Sequence, residues 1–233
     1  MIAFRRWGLA VAVIAGLCSL FLVPPLPKAA DRPLSPIALP DPALVKIVFM
    51  GTSLTAGYSW PDLVASRLQA CLAASLHVLR MAEGGVTSVW GLARIEAVIA
   101  EAPDLVVVEF AINDSDLRLG LSLQQSRDNH RALLSRLKQA LPEARIILMT
   151  TNPATGLRRL LRPRLASYYA LYHDLAAEMD LGLIDLYPRW LALPQAAQAL
   201  TDGVHPSTES AVAVIVPTVT AYLGGLLGKT CVF

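Results

Sequence analysis

The sequence predicts an α/β fold: a three-layer αβα sandwich built on a doubly wound, parallel, five-stranded sheet. Three observations carry this expectation. Five short runs are almost wholly apolar and rich in β-branched residues, as strands buried on both faces are. Segments of helical periodicity separate those runs. Gly, Asn, Asp and Ser gather where several of the runs end.

The first strand is expected over residues 45–50 (VKIVFM). A helix over 61–74 follows, with Leu63, Val64, Leu68 and Leu72 on one side. Residues 76–81 form a second strand, and 88–100 a helix with Leu92, Ile95, Val98 and Ile99 on its apolar face. Residues 105–110 (LVVVEF) are the most continuous strand signal in the chain. A long amphipathic helix over 123–140 carries Arg and Lys outward. A strand over 146–150, a helix over 165–179, a strand over 183–186 and a helix over 207–227 complete the series. Strands alternating with helices give a parallel sheet covered on both faces. Right-handed crossovers then leave the doubly wound arrangement. Ligands of such sheets bind beyond the carboxyl ends of the strands. Chemistry is therefore expected after Met50, Met81, Phe110 and Thr150 and in the loop before the last helix.

Composition narrows the function classes. At 55% hydrophobic and 16% charged, the 233 residues hold ample apolar surface for a folded body, which excludes disorder. Residues 1–30 contain Arg5, Arg6 and Lys28 and no acid. Setting those three aside, the rest of the 20 Lys and Arg nearly balances the 18 Asp and Glu. A near-neutral body is not that of a general nucleic-acid binder.

Arg5-Arg6 precede an apolar run from Trp7 to Val23, which Pro24-Pro25 end. A basic segment followed by an apolar one is an export signal. No A-x-A cleavage pattern is present near Ala29 and Ala30, and about 17 residues is the lower limit for crossing a bilayer. Residues 1–30 are therefore expected to be a signal peptide or a signal-anchor. The body, residues 44–228, would then lie outside the cytoplasm, periplasmic, anchored in the inner membrane facing the periplasm, or secreted. Residues 31–43, rich in proline, are expected to be a stiff spacer, and 229–233 a tail. Leu17 is too bulky for Cys18 to be a lipoprotein site. Cys71 and Cys231 would face an oxidising compartment. Cys71 lies late in the first helix and Cys231 follows the last, and both helices share one face in this winding. A bridge between them requires Cα atoms within about 7 Å, which the sequence leaves open. No Cys or His spacing points to a metal.

Four polar blocks stand at the expected strand ends. Gly51-Thr52-Ser53-Leu54 follows the first strand and presents a serine at a turn. Glu83-Gly84-Gly85-Val86-Thr87-Ser88 follows the second; Gly-Gly lets a backbone N–H approach a ligand, and Ser88 is a candidate helix N-cap. Ala111-Ile112-Asn113-Asp114 follows the third. Asp202-Gly203-Val204-His205 precedes the last helix, with the Asp placed to orient the imidazole. Together they supply a nucleophile, a base, an orienter for the base and oxyanion donors. Glu109, inside the most apolar strand, is expected to be a buried polar partner of a strand-end loop.

These blocks, in this order over roughly residues 45–225, resemble those of the SGNH hydrolases, the GDSL-type esterases and lipases. Gly57-Tyr58-Ser59-Trp60-Pro61 and Gly85-Val86-Thr87-Ser88 resemble the bacterial periplasmic thioesterase/lysophospholipase branch of that family. The resemblance implies a flavodoxin-like sandwich and an acyl-enzyme mechanism. Ser53 would attack, His205 would move the proton and Asp202 would fix His205. The N–H groups of Ser53 and Gly85, with the Asn113 amide, would hold the oxyanion. No metal or organic cofactor is implied. Two residues depart from the family pattern: Thr52 stands where an Asp is usual, and Ala111 where a Gly is usual, with a methyl expected to crowd the oxyanion site slightly. The function expected is an exported serine esterase, acting for instance on O-acetyl or other O-acyl groups of envelope or secreted polysaccharide. Lipid or thioester hydrolysis, O-acyl transfer and non-catalytic binding on the same scaffold remain alternatives.

Residues 156–165 (GLRRLLRPRL) hold Arg158, Arg159, Arg162 and Arg164 in a run that leaves the carboxyl end of the fourth strand. Arg118 leaves the neighbouring strand end. Arginines in the first turn of a helix oppose its dipole. They are therefore expected, Arg158, Arg159 and Arg118 above all, to form an electropositive rim for an anionic acylated substrate.

Overall fold

The computed structural model describes residues 28–37, 44–72, 74–195 and 199–231. The apolar run of 7–23 and most of the expected signal lie outside these residues. The strands are β1 (Leu44–Gly51), β2 (Ser75–Ala82), β3 (Leu105–Glu109), β4 (Arg145–Thr150) and β5 (Gly182–Asp185). All are parallel, in the order β2-β1-β3-β4-β5. The winding direction reverses between β1 and β3, which opens a crevice at their carboxyl ends.

Strand residues alternate between two cores, as the period of two requires. Val48, Met50, Val106, Val108, Ile146 and Leu148 face one layer of helices. That layer includes α4 (Ile95–Ala100), α6 (Leu123–Ala140) and α8 (Leu165–Glu178). Val45, Ile47, Phe49, Val107, Ile147 and Met149 face the other, made of α2 (Trp60–Leu72) and α10 (Thr208–Leu226). Burial on both sides is why these strands show no apolar/polar alternation. Helix α10 is long and apolar enough to cross a bilayer, yet half of that apolar stretch is buried within the body.

Five findings differ from or add to the expectations. The helix expected over 88–100 is broken at Arg94 into α3 (Ser88–Ala93) and α4. The break follows Gly91, where a Cβ would stand 2.6 Å from the Phe110 ring. That close approach ties α3 to the end of β3. Ser88 is the first residue of α3 and not its N-cap, which is Thr87.

Residues 31–37 do not form a free-standing spacer. Arg32 pairs with Leu183 as an antiparallel bridge on the outer edge of β5, the Ile37 N–H donates to the Leu226 carbonyl at 2.8 Å, and Asp31 forms an ion pair with Arg189. An open sheet edge carries unpaired N–H and C=O groups, and this segment covers part of one. Residues 38–43 lie outside the described part.

Cys71 and Cys231 are joined in a disulfide with Cα atoms 5.9 Å apart. It ties the end of α2 to the segment after α10. Gly224 leaves room for it, since a Cβ there would stand 2.9 Å from the Cys231 sulfur.

Four short helices escape periodicity: α1 (Ser53–Ala56), α5 (Ala111–Asp114), α7 (Gly156–Leu160) and α9 (Tyr187–Leu191). The first three leave the carboxyl ends of β1, β3 and β4 and build the site.

Candidate active site

The turn after β1 is shaped by a buried acid. Thr52 is the extended N-cap of α1, and Ser53 is its first residue. The Glu109 carboxylate accepts from Thr52 N at 2.6 Å and Thr55 Oγ1 at 2.8 Å. Both of its oxygens lie 3.1 Å from Thr52 Oγ1. Gly51 is required at this crossing, because a Cβ would stand 2.1 Å from Glu109 Oε1. Glu109 is thus the expected buried partner of a strand-end loop, and Thr52 serves it where the family has an Asp. Burial pushes the Glu109 carboxyl up to about 7, against the lowering effect of the threonine hydrogen bonds.

Ser53 Oγ lies 2.8 Å from His205 Nε2. His205 Nδ1 lies 3.0 Å from Asp202 Oδ2. With Nδ1 protonated toward the carboxylate, Nε2 accepts from the serine hydroxyl; this tautomer follows from the network. Asp202 Oδ1 also accepts the N–H groups of Val204 and His205, at 3.0 and 2.8 Å. Burial pushes the Asp202 carboxyl up, but the hydrogen bonds from His205 and Val204 outweigh it and hold it well below the usual carboxylate range. Gly203 has φ +86, and its carbonyl accepts from Thr155 N at 2.8 Å. The loop is therefore fastened to the start of α7.

The end of β3 is held from behind. The Phe110 and Ala111 N–H groups donate to the Tyr172 hydroxyl at 2.8 and 3.2 Å. That hydroxyl donates to His130 Nε2 at 2.9 Å, and His130 Nδ1 donates to the Ser126 carbonyl at 2.8 Å. Asp114 accepts from Ser88 N and Ser126 Oγ, at 2.8 and 2.6 Å, joining α5 to α3 and α6. His130 is thus a packed imidazole. The Ala111 methyl sits in the core, not in the pocket, so the expected crowding of the oxyanion site does not arise. Asn113 Nδ2 donates to the Val86 carbonyl at 2.9 Å. That bond uses one of its two N–H groups.

Ser53, Gly85, Asn113 and His205 line one pocket of about 150 Å³, together with Leu119, Arg118 and Arg158. Gly85 has φ +78, which favours glycine, and nothing lies within 4 Å of where a Cβ would be.

The arginines divide. Arg118 and Arg158 line the pocket. Arg118 pairs with Asp116 at 2.7 Å, and Arg158 Nη2 lies 3.4 Å from Asp202 Oδ2. Arg159 is displaced from the expected rim into a neighbouring depression beside Tyr187. Arg162 also reaches the pocket, but as a buried part of its wall and not as an exposed rim: it pairs with Asp116 at 2.7 Å and donates to the Ile112 carbonyl at 2.9 Å. Arg158 and Arg159 fall in the last turn of α7, where cations favour the dipole, so the expected conflict with a helix N-terminus does not arise. Sequence reasoning missed Asp116, the acid that both Arg118 and Arg162 use. Its one signal was a second Asp two residues after Asp114.

No curated protein sequence matches this chain. Among solved structures it is similar to the lipase/acylhydrolase from Enterococcus faecalis, with 28% identity and TM-score 0.70 over 78% of this chain and 96% of that one. TesA is similar at 25% identity and TM-score 0.63, over 78% of this chain and 99% of that one. A catalytic mutant of Axe2, an acetylxylan esterase from Geobacillus stearothermophilus, shares the fold at 24% identity and TM-score 0.65, over 81% and 96%. The family model of the GDSL-like lipases/acylhydrolases matches residues 49–211, from within β1 to the first turn of α10, and so takes in every residue that lines the pocket. The chain belongs to the GDSL-like lipase/acylhydrolase family and is an ester-hydrolysing enzyme.

Proposed function

We propose that this enzyme is an exported serine esterase that removes short acyl groups through an acyl-enzyme. The observation that carries this is the hydrogen-bonded chain Ser53–His205–Asp202, 2.8 and 3.0 Å per link, opening into a pocket of about 150 Å³. Ser53 Oγ attacks the acyl carbonyl while His205 Nε2 takes its proton. His205 returns that proton to the leaving alcohol. Water, deprotonated by His205, then releases the acid. Asp202 keeps Nδ1 protonated and stabilises the imidazolium. Gly85, Asn113 and the Ser53 N–H are the oxyanion donors.

The pocket is small beside the roughly 300–1,000 Å³ of sites for drug-sized ligands, which favours acetyl over long acyl groups. Arg118 and Arg158 at its wall favour an anionic leaving group, such as an acidic polysaccharide. Export is supported by the Cys71–Cys231 disulfide, a bond of oxidising compartments, and by the basic-then-apolar run that begins at Arg5.

The test is an ester panel from acetyl to long-chain acyl, with and without an acceptor sugar, on the parent and on Ser53→Ala. The parent should prefer the shortest chains, transfer little to the sugar and be labelled by an organophosphonate; Ser53→Ala should lose both labelling and turnover. Undiminished labelling of Ser53→Ala would overturn the mechanism, and a preference for long chains the substrate class.

A further inference from the structure

We infer that the face carrying the Ser53 pocket docks on an anionic lipid bilayer. Among the described residues, seven large hydrophobic side chains are exposed, and four of them sit beside this pocket: Leu117, Leu119, Leu157 and Leu160. Leu157 is 80% and Leu160 70% exposed. The Leu117 N–H donates to the Leu161 carbonyl at 2.9 Å, so the two segments that carry these leucines are fastened together as one surface. Arginines are interleaved with them: Arg118 and Arg158 at the pocket, and exposed Arg159 and Arg164, neither of which has an ion pair among the described residues. Apolar tips set among cations are the pattern that enters a headgroup layer, leucines in the acyl boundary and guanidiniums on lipid phosphates.

A second, independent observation is where the chain leaves the described body. Residues 30–32 run antiparallel to β5, with the Ala30 N–H donating to Asp185 Oδ2 at 3.1 Å and Arg32 paired to Leu183. Asp185 is the carboxyl end of β5. Lys28 therefore leaves at the same end of the sheet as Ser53. Only Pro24-Pro25-Leu26-Pro27 separate it from the apolar run ending at Val23. The five steps from Val23 to Lys28 extend at most about 18 Å. An apolar run held in the bilayer would keep this face, and not the opposite one, against the membrane. The occupant is thus a lipid surface, and the esters this enzyme reaches are those borne at that surface.

The test uses the full chain in vesicles of phosphatidylethanolamine and phosphatidylglycerol (3:1) with brominated acyl chains, which quench tryptophan on contact. Leu157→Trp reports on this face. Leu44→Trp, exposed at the amino end of β1, reports on the opposite end of the sheet. The added emission of Leu157→Trp should be quenched at least threefold more than that of Leu44→Trp, and the difference should shrink in phosphatidylcholine alone. Equal quenching would overturn the proposal. Leu157→Ser/Leu160→Ser should keep p-nitrophenyl acetate turnover within twofold and lose at least fivefold on an acyl ester held in the same vesicles. If that variant instead only dissociates a dimer in sedimentation, the face is a self-interface and the proposal fails. Quenching is also read in Ser53→Ala, so it stands or falls apart from the proposed ester chemistry.

Discussion

Glu109 Oε1 accepts the backbone N–H of Thr52 at 2.6 Å, one residue before Ser53. A carboxyl group in the most apolar strand thereby holds the turn that presents the serine. Its burial leaves a titratable group near neutrality inside the fold. The folded-state value, about 7, lies above the ordinary 4.5 of the unfolded chain. Its contribution to stability is full below about pH 4.5 and is lost as pH rises through 7. Relative to the parent, Glu109→Gln should gain stability across that window, by about 3 kcal/mol at most. The glutamine can still accept from Thr52 N and Thr55 Oγ1 and donate to Thr52 Oγ1. Urea unfolding from pH 4.5 to 8 checks this. Parallel curves for parent and variant would show that Glu109 does not titrate in this range.

Asn113→Ala should lower kcat by about 10²–10³, the usual loss for one oxyanion donor, with little change in KM. The Val86 carbonyl loses a partner, so the melting temperature should be measured alongside. Turnover within a few-fold of the parent on an intact fold would make Asn113 structural.

Gly203→Ala puts a methyl 2.8 Å from the Thr155 carbonyl, at a φ of +86 that side chains disfavour. The loop between Asp202 and His205 must shift. Organophosphonate labelling of Ser53 should slow by at least tenfold, since a displacement of about 1 Å at the reacting groups costs about 10², while circular dichroism stays unchanged.

Asp116→Ala removes the partner of Arg162, whose guanidinium is buried with it. An unpaired buried charge costs about 3–5 kcal/mol. Arg118 is half exposed, and its pair with the same Asp adds little. Chemical denaturation should therefore show a large loss for Asp116→Ala and a loss below about 1 kcal/mol for Arg118→Ala.

Reduction of Cys71–Cys231, or Cys71→Ser, should cost about 2–5 kcal/mol, because the bridge closes a loop of 160 residues. The bond lies in the α2 and α10 layer, outside the pocket lining. Turnover at 25 °C should persist while the melting temperature falls. Two free thiols at these positions in the denatured, non-reduced exported protein would show that the bridge does not form.

The strands and long helices were legible because both signals are local. A strand buried on both faces must be apolar throughout, as residues 105–108 are, and the helix over Leu123–Ala140 was placed to the residue by its period. The short helices were not legible, since four or five residues span little more than one turn and carry no period. The sequence also marked Ser53, Gly85, Asn113, Asp202 and His205, because each follows a strand or precedes a helix within a compact block. Arg162 was misplaced for a different reason. Four arginines in seven residues look alike until burial distinguishes them, and only the packing of α5 against α8 makes one of them an internal partner of Asp116.

By itself, then, the sequence determined the sheet, its winding and the residues offered at its carboxyl ends, because periodicity and turn chemistry act over a few neighbours. The tertiary structure alone decided the rest. It joined cysteines 160 residues apart, laid Arg32 on the edge of β5, turned Glu109 onto Thr52 and sent Arg162 inward while leaving Leu157 in solvent. Each of these depends on a distance between segments remote in the chain, which is set by how the layers pack and leaves no mark in either segment alone.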